Sequence, residues 1–273
     1  MTRWAFLGPA GTFSEEALFS LGLDDIEPVA CATIPDVFDA VESTECEHGI
    51  VPIENSVEGS VNATLDALAF DHDLTIMSEV VLDIRHALIA AQGTKLHDIR
   101  AVVSHPQATG QCRRWLFKNL PGVDIVAANS TAEAVQRAVA ESGTAAVGTE
   151  LAARLNGGEV LARSIEDYKG NQTRFVVLGN GIAERTGHDK TSLALFMHKD
   201  RPGALLMILS EFAYGQINLT KIQSRPTKKQ LGEYMFFLDC EGHVSDQAVG
   251  LALDCLRLKL RRLKVLGSYP RAK

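Results

Sequence analysis

The motif NQTRF at residues 171–175 brings a hydroxyl, a fixed cation and an aromatic ring to the start of the apolar run at 176–178. Such a run is typical of a buried strand. A threonine hydroxyl can donate a hydrogen bond, and an arginine can bind a carboxylate through two parallel hydrogen bonds. Neighbouring side chains of a strand point to opposite faces, so Thr173 and Phe175 should share one face and Arg174 should lie on the other.

The elements that must position this motif follow a recurring pattern of short apolar strand, polar turn and amphipathic helix. The five polar turns are GPAGTFS after the strand at 4–7, ENSVEGS after 49–53, SHPQ after 101–103, NSTAE after 123–127 and TEL after 145–148. Strands that alternate with helices at this spacing indicate parallel βαβ units. The sequence therefore predicts an α/β fold.

The five turns also predict a binding site. Ligands of open α/β sheets bind outside the carboxyl ends of the strands, where helix N-termini offer N–H groups and a partial positive charge to carboxylates or phosphates. Thr12 and Ser130 each stand three residues before a glutamate, a spacing typical of a capping box. Any one turn could simply cap its helix, but the five together favour a site for a small anion.

The motifs of common cofactor and metal sites are absent from the sequence. GPAGTFS matches neither GxGxxG nor GxxxxGK[ST], and no HExxH, GxSxG or EF-hand loop occurs. The eight histidines are dispersed, and we expect His86 and His105 to be structural or to contact a substrate rather than to bind a metal. We expect no metal and no cofactor.

Composition narrows the function classes further. The chain has 273 residues, 46% hydrophobic residues and a formal net charge of −7, so we expect two domains and neither nucleic acid nor a membrane as a partner. The five cysteines are odd in number and include no CxxC pair, which argues against a disulfide framework or a zinc site. The first residues lack the apolar core of a signal peptide, so we expect a cytoplasmic protein.

Two long crossings divide the α/β region into two lobes. The segments 75–91 and 167–179 both run between the early and late parts of this region, which predicts a double hinge with the second lobe inserted into the first. We expect lobe 1 at about 1–80 and 165–182, lobe 2 at about 81–164, and the ligand in the cleft between them. After a polar linker, residues 190–273 predict the order βαββαβ of a ferredoxin-like sandwich, with helices at 204–214 and 246–260.

Several motifs together resemble those of one known family. They are GPAGTFS, VPIENSVEGSV, SHPQATGQC, NQTRF, RPGALL and NLTKIQSRP, in the family's order and spacing. The chain is similar to prephenate dehydratases with a C-terminal ACT regulatory domain. The resemblance implies a type II periplasmic-binding-protein-like catalytic region at 1–182 and an ACT domain at 190–273. It also implies the decarboxylative dehydration of prephenate to phenylpyruvate, water and CO2 in L-phenylalanine biosynthesis, with feedback by phenylalanine.

The resemblance assigns catalytic roles around the NQTRF motif. Similar proteins place their essential hydroxyl at the position of Thr173, which would assist departure of the substrate hydroxyl. Glu54 is a possible proton source if burial raises its pKa, or it only orders its loop. Arg174 either clamps a carboxylate or locks the hinge, and Phe175 packs either on the substrate ring or in the core. Which group donates the proton stays open.

Further candidates would hold the pyruvyl end of the substrate. They lie in the first three polar turns and on the helix after the third, and they are Thr12, Ser14, Asn55, Ser56, Gly59, Ser60, Ser104, Gln107 and Gln111. Gln111 lies one helical turn beyond Gln107, so both could face the cleft.

The resemblance also implies an effector site in the last domain. Its candidate phenylalanine-binding residues are Arg201, Gly203, Ala204, Leu205, Asn218 and Leu219. Gly203 would permit close approach to N–H groups at a helix start, and Asn218 could hold the ammonium group. Gln223 stands where the family usually has glutamate, which leaves the strength and sign of the response open. The alternative is a domain that only dimerises the protein, and we expect a homodimer or homotetramer.

Three functions remain open from the sequence. The first is an enzyme that acts on prephenate, the second a close variant that takes arogenate, and the third a non-catalytic regulator that binds an anion. The intact TRF and ENS motifs speak against the third.

Overall fold

The computed structural model describes residues 1–198, 202–228 and 233–272. These form two compact units: the first comprises Met1–Val61 and Val80–Phe175, and the second comprises Asn62–Glu79 and the described residues from Val176 onward. Residues 62–79 and 176–182 thus belong to the second unit, whereas the sequence suggested a boundary after 182. The reason is pairing within the second unit, where Ile76 faces Gly267 in a parallel strand pair.

The strands are given in chain order. They are β1 (Thr2–Leu7), β2 (Ile26–Cys31), β3 (His48–Asn55), β4 (Gly59–Ser60), β5 (Thr75–Asp83), β6 (Ala87–Ala90), β7 (Ala101–Ser104), β8 (Asp124–Ala127), β9 (Thr144–Gly148), β10 (Glu159–Ala162), β11 (Gln172–Gly179), β12 (Asp189–Phe196), β13 (Leu219–Pro226), β14 (Tyr234–Glu241) and β15 (Arg262–Pro270).

The α-helices follow the same order. They are α1 (Phe13–Ser20), α2 (Ile34–Glu42), α3 (Asn62–Asp66), α4 (Pro106–Gln111), α5 (Arg113–Asn119), α6 (Thr131–Ala140), α7 (Glu150–Asn156), α8 (Ala204–Tyr214) and α9 (Gln247–Lys259). A π-helical turn, Ala67–Asp71, continues α3, and a 3-10 turn occupies Leu96–Asp98. Among the described residues, no helix is long and apolar enough to cross a membrane.

The first unit contains two sheets, one in each predicted lobe. In lobe 1, β1 lies between β2 and β3 and pairs in parallel with both, while β4 forms a hairpin with β3. In lobe 2 the strand order is β10-β6-β9-β7-β8, with β7 parallel to both of its neighbours and β6 antiparallel to both of its own. The expectation of two α/β lobes is confirmed.

The sheet of lobe 2 is buried on both faces, as helix-covered sheets are. Leu88 packs on one side with Leu116 of α5, and the adjacent Ile89 packs on the other side with Val135 of α6. Alternate residues of one strand therefore enter two separate cores. This arrangement holds the carboxyl ends of β7 and β8 in fixed positions.

The second unit has the predicted order β12-α8-β13-β14-α9-β15. Its strands form the antiparallel order β13-β14-β12-β15, and α8 and α9 cover one face through Ile208, Phe212 and Leu253. The ferredoxin-like prediction is confirmed. In the same unit, Asp66 at the end of α3 accepts hydrogen bonds from Nε and Nη2 of Arg225, at 2.6 and 2.5 Å.

The close pairing between β15 and β5 can be tested by a substitution at Gly267. A Cβ added at Gly267 would lie 2.7 Å from the Cβ of Ile76 and would also meet the Ile76 backbone. We expect Gly267→Ala to lower the free energy of unfolding by about 1–3 kcal/mol, because overpacking against backbone forces the strands apart. Thermal and urea unfolding of the full chain would measure the loss.

Gly250 in α9 supplies the matched control. A Cβ there would come no closer than 3.5 Å, to the Val244 carbonyl oxygen. Gly250→Ala should therefore stabilise the unit by up to about 1 kcal/mol, since alanine is the better helix former. Equal stability of the two variants would contradict the packing described for β15.

Candidate functional site

A cavity of about 520 Å³ opens in the first unit and is lined by residues of both lobes. Lining residues follow the carboxyl ends of four strands: Thr12 after β1, Gly59 after β3, His105 after β7 and Asn129 after β8. Four of the five polar turns thus meet at one site, as the strand topology predicted.

The fifth turn supports the first one. Thr149, which follows β9, is fully buried, and its Oγ1 donates a hydrogen bond of 2.6 Å to the carbonyl oxygen of Gly11. Thr149 Oγ1 also accepts from the N–H of Ala152 at 2.9 Å and so caps α7. This turn therefore holds the loop that precedes Thr12.

Three helices begin at the cavity wall. Thr12, Phe13 and Ser14 lie at the start of α1, Gln107 lies at the start of α4, and Thr131 at the start of α6. The helix starts bring partial positive charge to the cavity, since the first N–H groups of a helix have no intrahelical partner.

The caps of these helices differ from the sequence expectation. His105 Nδ1 accepts from the N–H of Gln107 at 3.3 Å, and Ser130 Oγ accepts from the N–H of Glu133 at 3.0 Å. Thr12, by contrast, makes no side-chain cap, and its Oγ1 donates to the carbonyl oxygen of Leu7 at 3.0 Å. The capping box predicted at Thr12 is not formed.

The cavity wall is nearly neutral. Among the described residues that line it, none is Lys or Arg, and the only carboxylate is the exposed Glu58. An anion held here would therefore be bound by helix N-termini and by neutral hydrogen-bond donors rather than by an ion pair.

Thr173 lies on β11 with its side chain in the cavity wall. Only 8% of the residue is exposed, and Phe175 lines the same cavity two positions further on. The predicted sharing of one strand face is confirmed. The Nδ2 group of Asn55 donates a hydrogen bond of 2.8 Å to Thr173 Oγ1. Because this bond uses a lone pair of the hydroxyl oxygen, the hydroxyl proton is left for donation to a cavity occupant.

The orientation of the Asn55 amide follows from its other bonds. Its Oδ1 accepts from the backbone N–H groups of Val57 and Glu58, both at 2.9 Å. Two backbone donors cannot be satisfied by an NH2 group, so Nδ2 must face Thr173. The tight hairpin from β3 to β4 therefore determines which end of the amide meets the hydroxyl.

A chain of amides extends from Asn55 to a buried histidine. Asn171 accepts from Asn55 Nδ2 at 2.9 Å and donates to Gln111 Oε1 at 3.1 Å. His86 Nε2 lies 3.0 Å from the same Gln111 oxygen. Because this oxygen only accepts, Nε2 carries a proton and Nδ1 does not.

His86 is held neutral by its surroundings. Only 3% of the residue is exposed, and burial lowers its pKa because the imidazolium form loses its hydration. The bond with Gln111 and the charge of Glu166 oppose this effect without cancelling it.

Several predicted residues meet at the cavity. Residues from the polar turns, α4 and β11 line it, namely Thr12, Ser14, Asn55, Gly59, Ser60, Gln107, Gln111, Thr173 and Phe175. Gln107 and Gln111 share one face of α4, as their spacing predicted.

Glu54 and Arg174 lie on neighbouring strands and pair with each other. Arg174 Nη2 donates to Glu54 Oε2 at 3.0 Å. Both are placed by strand alternation away from Thr173, and neither is among the described lining residues. The contact joins two neighbouring strands and gives both side chains a structural partner, while the two roles considered for Arg174 stay predictions.

Ser56 and Ser104 also bond to the protein itself. Ser104 is fully buried, and its Oγ donates to the Val147 carbonyl oxygen at 2.6 Å, which joins β7 to β9. Ser56 Oγ accepts from the N–H of Gln172 at 2.9 Å. These hydroxyls satisfy backbone groups of adjacent strands instead of lining the cavity.

The structure describes five of the six predicted effector residues. Arg201 lies outside the described residues. Gly203 precedes α8 with a φ of +83°, in the left-handed region that favours glycine, and Ala204 and Leu205 begin the helix. The carbonyl oxygen of Asn218 accepts from Glu241 at 2.9 Å, and Leu219 begins β13. Their role in binding an effector stays a prediction.

Some lining residues were absent from the predicted set. They are Asn129, Ser130, Thr131 and Asn171. The first three stand in the polar turn NSTAE, and Asn171 opens the NQTRF motif, so the sequence had already singled out both segments. His86 and His105, which the sequence left as either structural or substrate-contacting residues, also line the cavity.

Known proteins resemble this chain over most of its length. The family model described as prephenate dehydratase matches residues 4–182. A bifunctional chorismate mutase/prephenate dehydratase of Aquifex aeolicus (strain VF5) is 43% identical over 268 residues, which cover 98% of this chain and 73% of that protein. A prephenate dehydratase of Mycobacteroides abscessus is 41% identical and covers 99% of this chain and 91% of its own length.

A solved structure of a prephenate dehydratase is also similar to this chain. The crystal structure of a prephenate dehydratase from Arthrobacter aurescens in complex with L-Phe has a TM-score of 0.92 and is 39% identical. The match covers 99% of this chain and 90% of that chain.

The neutral state of His86 predicts a pH dependence of stability. Because the pKa of His86 is lowered in the folded chain, the unfolded chain binds a proton that the folded chain does not as pH falls below about 6.5. Stability should therefore fall with pH in this range. His86→Gln, which removes the titrating ring, should give a shallower fall in thermal unfolding between about pH 5 and pH 8. Identical slopes would show that His86 titrates normally.

Proposed function

The chain belongs to the prephenate dehydratase family, and we propose that it converts prephenate to phenylpyruvate, water and CO2. The observation that carries the proposal is the Thr173 hydroxyl, which accepts from Asn55 and faces a nearly neutral cavity. The test is an assay of the purified chain with prephenate and with arogenate, in which the aromatic product is identified. Absence of any aromatic product from either compound would contradict it.

The reaction consumes one proton. The bond between the ring and its carboxylate breaks, and its electron pair enters the ring as CO2 leaves. The ring double bonds shift, and the C–O bond breaks with its electron pair on oxygen. That oxygen gains a proton and departs as water. The prephenate dianion and one proton thus give the phenylpyruvate anion, CO2 and water, and the gain of aromaticity drives the step.

Thr173 would assist the departing oxygen by hydrogen bonding. A threonine hydroxyl is a weak acid, so it donates a strong hydrogen bond or relays a proton rather than supplying one from its own ionisation. The bond from Asn55 keeps the hydroxyl oxygen in the acceptor role, and its proton is then directed to the substrate. Asn55 and Asn171 are positioning residues in this scheme, because they act through Thr173.

The two substrate carboxylates would be bound by helix starts. Thr12 and Ser14 at α1, Gln107 at α4 and Thr131 at α6 offer hydroxyl, amide and backbone donors from both lobes. Binding a dianion from two sides would hold its flexible side chain and its ring in one reactive geometry. Phe175 is available to pack against the ring.

The second unit would bind the effector L-phenylalanine as an ACT domain. Support comes from its confirmed βαββαβ order and from the relative of Arthrobacter aurescens that was solved with L-Phe. Gly203, Ala204 and Leu205 at the start of α8, with Asn218, Leu219 and Arg201, are the residues proposed for this site. The assembly would be a homodimer or homotetramer. The enzyme would act in the cytoplasm.

The role of Thr173 gives a direct prediction. Thr173→Ala should lower kcat by about 10²- to 10⁴-fold, because a positioned hydroxyl is lost from the reacting oxygen. Thr173→Ser, which keeps the hydroxyl, should retain most of the activity. Steady-state rates with prephenate would measure both. Near-normal turnover of Thr173→Ala, with an unchanged melting temperature, would remove Thr173 from the mechanism.

Effector binding predicts a thermal shift. At L-phenylalanine concentrations near 100 times its Kd, binding to the folded chain alone should add about 2.7 kcal/mol of stability. Differential scanning calorimetry and a parallel rate assay would show both the shift and its effect on activity. D-phenylalanine is the control for specificity. If L-phenylalanine changes the melting temperature and the rate no more than D-phenylalanine does, the second unit serves only in assembly.

A further inference from the structure

The Nδ1 atom of His86 is a polar group that the reaction scheme leaves without a role. It is buried and has no hydrogen-bond partner among the described residues, although His86 lines the cavity. Buried polar atoms in native proteins nearly always have a partner. Because the His86 side chain borders the cavity, a ligand that packs against this ring is the candidate partner of the atom.

The character of this atom is fixed by the other side of the ring. Nε2 lies 3.0 Å from Gln111 Oε1, and that oxygen also accepts from Asn171 Nδ2 at 3.1 Å. A carbonyl oxygen with two donors leaves Nε2 as the protonated nitrogen. Nδ1 is consequently an acceptor, and it can bind only a group that carries a hydrogen.

The surroundings hold the ring in place. The Phe13 ring meets the imidazole edge-on, with centroids 5.4 Å apart, and the backbone N–H of His86 donates to Glu166 Oε2 at 2.9 Å. The first contact restrains the ring, and the second holds the backbone that carries it. The acceptor is thus preorganised before any ligand enters.

We propose that His86 Nδ1 accepts a hydrogen bond from the ring hydroxyl of the substrate and so selects a hydroxyl-bearing ligand. This inference rests on the proposed function. Prephenate has two carboxylates and a ketone, which only accept at neutral pH, so its ring hydroxyl is its single donor. The acceptor in the wall and the donor on the substrate therefore match one to one.

The hydroxyl would be held by two groups with different tasks. It donates its hydrogen to His86 Nδ1, and its oxygen accepts from the Thr173 hydroxyl. The first bond orients an oxygen lone pair toward Thr173. When the C–O bond breaks, the oxygen keeps its own hydrogen, gains a second proton that comes from solvent and is relayed by Thr173, and leaves as water, while His86 stays neutral. Phenylpyruvate lacks the hydroxyl and forms no such bond, which favours product release.

Two substitutions distinguish the role of His86 Nδ1 from that of Nε2. The amide of a glutamine reaches the position of Nε2, so His86→Gln retains the donor to Gln111 but loses the acceptor at Nδ1. The amide of an asparagine lies near the position of Nδ1, so His86→Asn keeps an acceptor there but loses the contact with Gln111. Melting temperatures would verify that both variants fold.

The measurement is the affinity of each variant for prephenate and for phenylpyruvate. Calorimetry would be done in a Thr173→Val background, which should slow the turnover of prephenate enough for binding to be measured. We expect His86→Gln to weaken prephenate binding roughly 10-fold, the value of one lost hydrogen bond, and to change phenylpyruvate binding less than about 2-fold. His86→Asn should keep more of the preference for prephenate than His86→Gln does.

The contrary outcomes are distinct. Equal weakening of both ligands by His86→Gln would show that His86 only shapes the cavity, and a loss of preference in His86→Asn alone would assign the effect to Nε2. Either result overturns the inference. Failure of the unsubstituted chain to convert prephenate or arogenate would instead contradict the proposed function, and that assay involves no change at His86.

Discussion

The hydrogen bond from Asn55 to Thr173 is the interaction on which the proposed chemistry of this chain depends. It joins residues 118 positions apart and fixes the hydroxyl oxygen as an acceptor at 2.8 Å. The amide cannot turn over, because two backbone N–H groups hold its oxygen. A weakly acidic side chain thereby becomes a directed donor, and the direction comes from the β3–β4 hairpin rather than from the threonine itself.

The cavity, like the Thr173 hydroxyl, depends on oriented neutral groups rather than on charged side chains. Arg174, the cation nearest in sequence to Thr173, is paired with Glu54 on the opposite strand face, and the described residues that line the cavity include no Arg or Lys. Carboxylates would be held by helix starts, whose partial charges need no counterion and do not titrate. His86 is neutral for a related reason, since burial makes the imidazolium form costly. In the proposed scheme, reaction and binding would therefore both rely on oriented dipoles.

The backbone runs directly from the cavity hairpin into the second unit. Gly59, Ser60 and Val61 line the cavity, and the next residue begins α3, which belongs to the second unit. Within that unit the bidentate pair between Asp66 and Arg225 ties the end of α3 to β13. The segment that carries the cavity hairpin is thus continuous with one that is anchored on the ferredoxin-like sheet.

The sequence by itself determined the two α/β lobes, the βαββαβ order and the faces of β11 and α4, because periodicity and turn chemistry are properties of neighbouring residues. It also identified the polar turns that meet at the cavity. Only the tertiary structure decided which polar groups face a ligand. Ser104 is directed to Val147, Glu54 is paired with Arg174, and His86 is joined to Thr173 through Gln111, Asn171 and Asn55. A hydroxyl or carboxylate can satisfy a distant strand as well as a substrate, and contacts between segments far apart in the sequence determine the outcome.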